Sequence, residues 1–107
     1  MAEIYQLNSD MKGRYLVTTQ GSEHIWDLDN MTYQRLHKSG NNAMFYDGQL
    51  LAIDEVIQWP EIGQSFSFFF TYKYTVSGND FDEDVEVLEP RWHLSSTIKS
   101  IQLLEEE

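Results

Sequence analysis

From Arg14 onward, apolar and polar residues alternate with a period close to two, the repeat of a strand that buries one face. Arg14-Tyr15-Leu16-Val17-Thr18-Thr19 is rich in β-branched and aromatic residues and predicts a first strand. Gln20-Gly21-Ser22 is a turn signal. Glu23 to Leu28 then places His24, Trp26 and Leu28 on one face and Glu23, Ile25 and Asp27 on the other, so the two segments read as a hairpin. Asp29-Asn30 marks the next turn, and Met31 to Leu36 supplies a third strand. Ser39-Gly40-Asn41-Asn42 is a loop by composition. Leu50 to Ile57 predicts a fourth strand, although Leu50, Ile53 and Ile57 also have the spacing of a short helical turn. Trp59-Pro60-Glu61-Ile62-Gly63 reads as a bend.

The strongest element is Ser65 to Val76. Phe66, Phe68, Phe70, Tyr72 and Tyr74 share one face, which predicts a core stripe of five aromatics. Ser77-Gly78-Asn79-Asp80 closes that strand, and Val85, Val87, Arg91 to Leu94 and Ile98 to Leu104 supply one or two more. Pro60 and Pro90 are expected where strands stop. Trp26 and Trp92 lie in strand patterns and are expected in the core, whereas Trp59, beside Pro60 in a bend, is expected at the surface. The pattern as a whole predicts one all-β domain over residues 1–107: six or seven short antiparallel strands forming a meander closed into a small barrel or sandwich. Closure would remove the exposed edge that so apolar a strand otherwise creates.

Composition changes this picture in three ways. A chain of 107 residues fits one domain and can bury roughly two-thirds of its unfolded surface. It has no cysteine, which excludes a disulfide framework, a thiolate nucleophile and Cys-ligated metal, and fits a reducing compartment. The Met1-Ala2-Glu3-Ile4-Tyr5 start has no basic-then-apolar leader pattern, and the apolar stretch Phe66 to Tyr74 is far short of the ~20 residues of a membrane helix. The expectation is a cytoplasmic protein with no membrane association. Net charge is −11, and 12 of the 18 acids but only 3 of the 7 bases follow residue 53. Such a field repels nucleic acid and anionic lipid and attracts a partner with a basic surface.

Candidate chemistry is sparse. Asp80, Asp82 and Asp84 have the spacing that opens a calcium loop, but Val85 stands where the sharp-turn glycine belongs and Arg91 where the closing Glu belongs. The acidic run is then a solvated hairpin tip or an edge of a partner-binding surface formed by Asp80, Asp82, Glu83 and Asp84, with Trp59 as its apolar anchor. His24, His37 and His93 show no metal-ligand spacing and read as packed or surface histidines. No serine lies in a nucleophile elbow, and the six glycines are scattered rather than gathered into a phosphate loop. No cofactor, metal or catalytic residue is expected.

Gly13 to Leu28, with its strand, Gly-Ser turn and acidic-Leu ending, resembles the opening of small uncharacterised β-domain proteins of actinobacteria and their phages. Gln34-Arg35-Leu36 is similar to their basic-Leu strand, and Trp92-His93-Leu94-Ser95-Ser96-Thr97-Ile98-Lys99-Ser100-Ile101 to their Trp–Ser/Thr–strand ending. The resemblance implies a compact β-fold and a phage setting, and no activity. The expected function is a non-enzymatic protein–protein interaction module, in a phage setting an acidic inhibitor of a host protein in the host cytoplasm. The alternatives are a structural or virion assembly protein that homo-oligomerises through its β edges, and a small-ligand binder or enzyme using a barrel-mouth pocket.

Overall fold

A computed structural model of the chain describes residues 4–36, 48–76 and 85–104. Its seven strands are β1 (Arg14–Thr19), β2 (Glu23–Asp27), β3 (Thr32–Leu36), β4 (Leu51–Gln58), β5 (Ser67–Val76), β6 (Val85–Leu94) and β7 (Ile98–Leu104). There is no helix among the described residues, hence none long and apolar enough to cross a membrane. The strands form one antiparallel sheet in the order β6-β5-β4-β3-β2-β1-β7. Leu50 to Ile57 follows its strand reading rather than the helical one, and the last stretch supplies two strands. The ladder does not close into a barrel: β6 and β7 are its two ends.

The first hairpins follow their alternation. Every second residue of β1, β2 and β3 is buried, and Tyr15, Val17, Trp26 and Tyr33 form the inner face. Met31 sits in the β2–β3 turn with φ +52° rather than beginning the strand. The β3–β4 ladder is only two pairs long, Thr32↔Ala52 and Tyr33↔Leu51. Two register shifts in β4, between Ile53 and Glu55 and between Val56 and Gln58, then bend the strand. Beyond this bend the β5–β6 hairpin faces back over β2 and β3. The Tyr33 and Phe68 rings lie 4.6 Å apart, His24 and Phe66 5.0 Å, and Trp26 and Phe66 5.1 Å. One aromatic core, also holding Leu7, Leu28, Ile98 and Ile101, fills the space between. Residues 60–64 brace its end: Leu7 donates to the Pro60 carbonyl (2.8 Å), Ile62 to Tyr5 (2.8 Å) and Gly63 to Ile98 (2.9 Å).

Three sequence expectations change here. The five-aromatic stripe of β5 is core only over Phe66, Phe68 and Phe70. Tyr72 is half-buried and Tyr74 exposed, because the β5–β6 hairpin runs on past the sheet that faces it. Pro90 lies inside β6 rather than at a strand end. This is tolerated because β6 is an edge strand, where a residue without an N–H can turn its nitrogen outward. Trp92 is not in the core but half exposed, since the β5–β6 register sets it opposite Phe69 on the outer face and leaves the inner place to His93, opposite Phe68.

Candidate functional site

Asp80, Asp82, Glu83 and Asp84 belong to the segment joining β5 to β6 and lie outside the described residues, as does His37. Trp59, the proposed apolar anchor, follows β4 and is half-buried, its ring 6.1 Å from that of Trp26 and packed against the core. Whether Trp59 and the acidic run share one surface therefore lies outside the described residues.

Two other constellations emerge. The first is a buried polar chain through the core. His24 on β2, Tyr33 on β3 and His93 on β6 are all buried, and the Tyr33 hydroxyl stands between the two imidazoles, 2.6 Å from His24 Nδ1 and 3.3 Å from His93 Nε2. On its other side His24 Nε2 meets Ser22 Oγ at 3.0 Å and Thr19 Oγ1 at 3.2 Å. The donors order this chain. One proton assignment satisfies every group: the Thr19 hydroxyl gives its proton to the Ser22 carbonyl (3.1 Å) and its oxygen accepts from His24 Nε2–H. His24 Nδ1 is then an acceptor, Tyr33 O–H donates to it, and the Tyr33 oxygen accepts from His93 Nε2–H. Each buried polar group in the chain thereby finds a partner, which is what makes so polar a core tolerable. All five side chains are buried, and their hydrogen bonds tie β2, β3 and β6 together across the core.

The second is on the surface. In β6 the even positions Glu86, Leu88, Pro90, Trp92 and Leu94 are more apolar than the odd positions Val85, Val87, Glu89, Arg91 and His93. The register with β5 nevertheless turns the even set outward: Phe69 is paired with Trp92, Lys73 with Leu88 and Ser67 with Leu94. Phe69 (41% exposed), Trp92 (52%), Leu94 (56%) and Leu88 (61%) thus line the outer face of the hairpin. The cause lies in the core. Turning β6 over would remove His93 from Tyr33 and carry Ser95 away from Phe66, whose N–H it caps through Oγ at 2.9 Å. On the face of this strip Lys73 is paired with Glu86 (3.3 Å) and Asp54 accepts from the Thr71 hydroxyl at 2.7 Å, while Arg91 and Glu89, paired at 2.9 Å, alternate to the other face of β6.

A shallow groove of about 270 Å³ opens on the outer face of β1–β3 between Arg14, Ile25, Asp27, Thr32 and Gln34. It holds one carboxylate. Burial pushes the Asp27 pKa up, but bonds from the Asn30 side chain (3.0 Å) and from the N–H groups of Asn30 (3.1 Å) and Asp29 (3.0 Å), with the charge of Arg14, hold it below its usual 3.8. A carboxylate kept ionised in this way is the opposite of a poised general acid. Among the described residues no group of three His, Cys, Asp or Glu side chains could hold a metal ion.

Sequence reasoning missed both constellations. His24 shares a face with Trp26, which was a signal of burial. Nothing in the spacing joins it to His93, 69 positions away, and the outward turn of β6 contradicts that strand's own pattern. No family model matches the chain, and neither a curated protein nor a solved structure matches it.

Proposed function

We propose that this protein is a non-enzymatic interaction module that engages a protein partner with a basic surface through the β5–β6 hairpin. The observation that carries the reading is the inverted strand: β6 turns its more apolar alternation to solvent, so Phe69, Leu88, Trp92 and Leu94 form an exposed strip that burial against a partner would stabilise. Aromatic rings on a rigid strand lose little entropy on binding and are frequent anchors. The net charge of −11 selects a basic partner and speeds its approach. The acids Asp80, Asp82, Glu83 and Asp84, in the segment joining these two strands, add to that attraction. In this reading the bent sheet packs over its own aromatic core in the manner of a small sandwich, with β6 at one end of its ladder. In a phage setting, such a module inhibits a host nucleic-acid-binding protein by offering carboxylates where phosphates would sit.

The test is affinity capture from lysate with wild-type bait beside Phe69→Ser/Trp92→Ser and beside a bait with Asp80, Asp82, Glu83 and Asp84 all changed to Ser. A stoichiometric basic partner is expected, lost with the hairpin variant and released between about 0.1 M and 1 M salt, as the Debye length falls from about 10 to 3 Å. A partner that ignores both variants and the salt refutes the reading. Self-assembly through β edges is the second reading, favoured by a β6 edge that pairs with no further strand among the described residues. A concentration-dependent sedimentation coefficient would support it, and a strict monomer would not.

A further inference from the structure

Among the described residues the outer edge of β6 pairs with no strand, and what it can take up extends the interaction reading, on which this inference rests. Ser95 N–H donates to the Phe66 carbonyl (3.0 Å), so at Ser95 the backbone faces β5. Backbone groups alternate sides along a strand, so the N–H and C=O groups of Leu94, Trp92, Leu88 and Glu86, and the carbonyl of Pro90, point away from β5. Pro90 agrees independently, since its nitrogen has no hydrogen to give and belongs on the open side. No strand lies beyond β6 in the described sheet. The opposite edge offers less, because the Ile98 end of β7 is already bonded to Gly63 and Gln64 (2.9 and 2.8 Å).

We infer that the β6 edge accepts an extended, lysine- or arginine-rich peptide segment as an added strand. Outward donors and acceptors recurring every two residues, about 6.6 Å apart, are matched by the backbone of another strand and not by a helix or a side-chain cluster. Alternate side chains of that segment would lie beside the Phe69–Trp92 strip, which supplies apolar and aromatic surface for lysine stems and arginine planes. Charge chooses the occupant. A second copy would bring another net charge of −11 to the same edge and set a second proline near Pro90, whereas a basic segment is attracted by the same field. Pro90 breaks the row of outward donors once and so guards the edge against indiscriminate pairing.

The test uses the full chain and a synthetic peptide of about ten residues alternating valine and lysine, beside one alternating valine and glutamate. Hydrogen exchange by NMR is expected to show the amides of Leu88, Trp92 and Leu94 exchanging fast in the free protein and protected with the lysine peptide only. Pro90→Val restores an outward N–H and is expected to tighten binding about 2- to 10-fold. Leu88→Pro is expected to weaken it by a similar factor while the amides of Val87 and Glu89, which face β5, stay protected. If the lysine peptide changes Trp92 fluorescence but protects none of the outward amides, strand addition is refuted and the basic-partner reading stands. Binding of neither peptide, or of both equally, overturns the two together.

Discussion

Replacing Tyr33 by Phe isolates the polar chain in the core. The ring keeps its places against Phe68 (4.6 Å) and Trp26 (6.0 Å), so packing changes little, but the hydroxyl between the two imidazoles is gone. His24 Nδ1 loses its donor and His93 Nε2–H loses its acceptor, each on a buried side chain. An unsatisfied buried polar group costs about 1–3 kcal/mol, so the expected loss for the two is about 2–6 kcal/mol, a large share of the ~5–15 kcal/mol that stabilises a domain. At about 4–8 °C per kcal/mol, even the lower bound lowers the melting temperature by about 8–16 °C. Urea unfolding followed by far-UV circular dichroism would read this as a lower midpoint at unchanged slope. The partner variant His24→Leu removes one stranded group, so Tyr33→Phe should cost markedly less in that background. A loss below about 0.5 kcal/mol in the single variant, or additive losses in the double one, would refute the shared-hydroxyl chain.

Four further outcomes follow from the same geometry. Nitrogen-15 spectra of the imidazoles should show His24 and His93 each carrying a proton at Nε2, and a proton on His24 Nδ1 would reverse the donor order assigned from Thr19. The Asp27 pKa is lowered on folding, so its ionised form stabilises the fold above its ordinary value of 3.8, and that contribution disappears as pH falls through the folded value. The stability gap between wild type and Asp27→Asn should therefore be widest near neutrality and shrink in strong acid, and a gap that does not change with pH would contradict this. Gly13→Ala places a side chain at φ +103° with its Cβ 3.3 Å from Leu103 Cδ1, and should destabilise by about 1–2 kcal/mol in thermal unfolding. Trp92→Ser should change stability by less than about 1 kcal/mol and remove most of the acrylamide-quenchable tryptophan fluorescence, because Trp26 is buried and Trp59 half-buried.

The alternating pattern alone was enough for the class of fold. Strands β1, β2 and β3 have one wet and one dry face, so local order reports burial directly, and the turns after Thr19 and Leu28 carry their own residue signals. The Phe66, Phe68 and Phe70 stripe was legible for the same reason. Where an element answers to something outside its own segment, the pattern misleads. Tyr74 continues the stripe in sequence but lies beyond the facing sheet in space. Trp59 looks like a loop residue but finds Trp26, because residues 60–64 are held by Tyr5, Leu7 and Ile98.

β6 shows most plainly what tertiary structure decides. By hydrophobicity its even residues belong inside, and a one-residue slip would put them there. Pairing with β5 and the bonds of His93 to Tyr33 and of Ser95 to Phe66 hold the opposite register, so the apolar side faces outward. The sequence by itself determined an all-β chain of acidic charge, without cysteine and with an aromatic core, because composition and period are local properties. Which histidines meet, which tryptophan is exposed and which edge stays open depended on contacts between residues dozens of positions apart, and a pattern read along one strand contains no term for its neighbour.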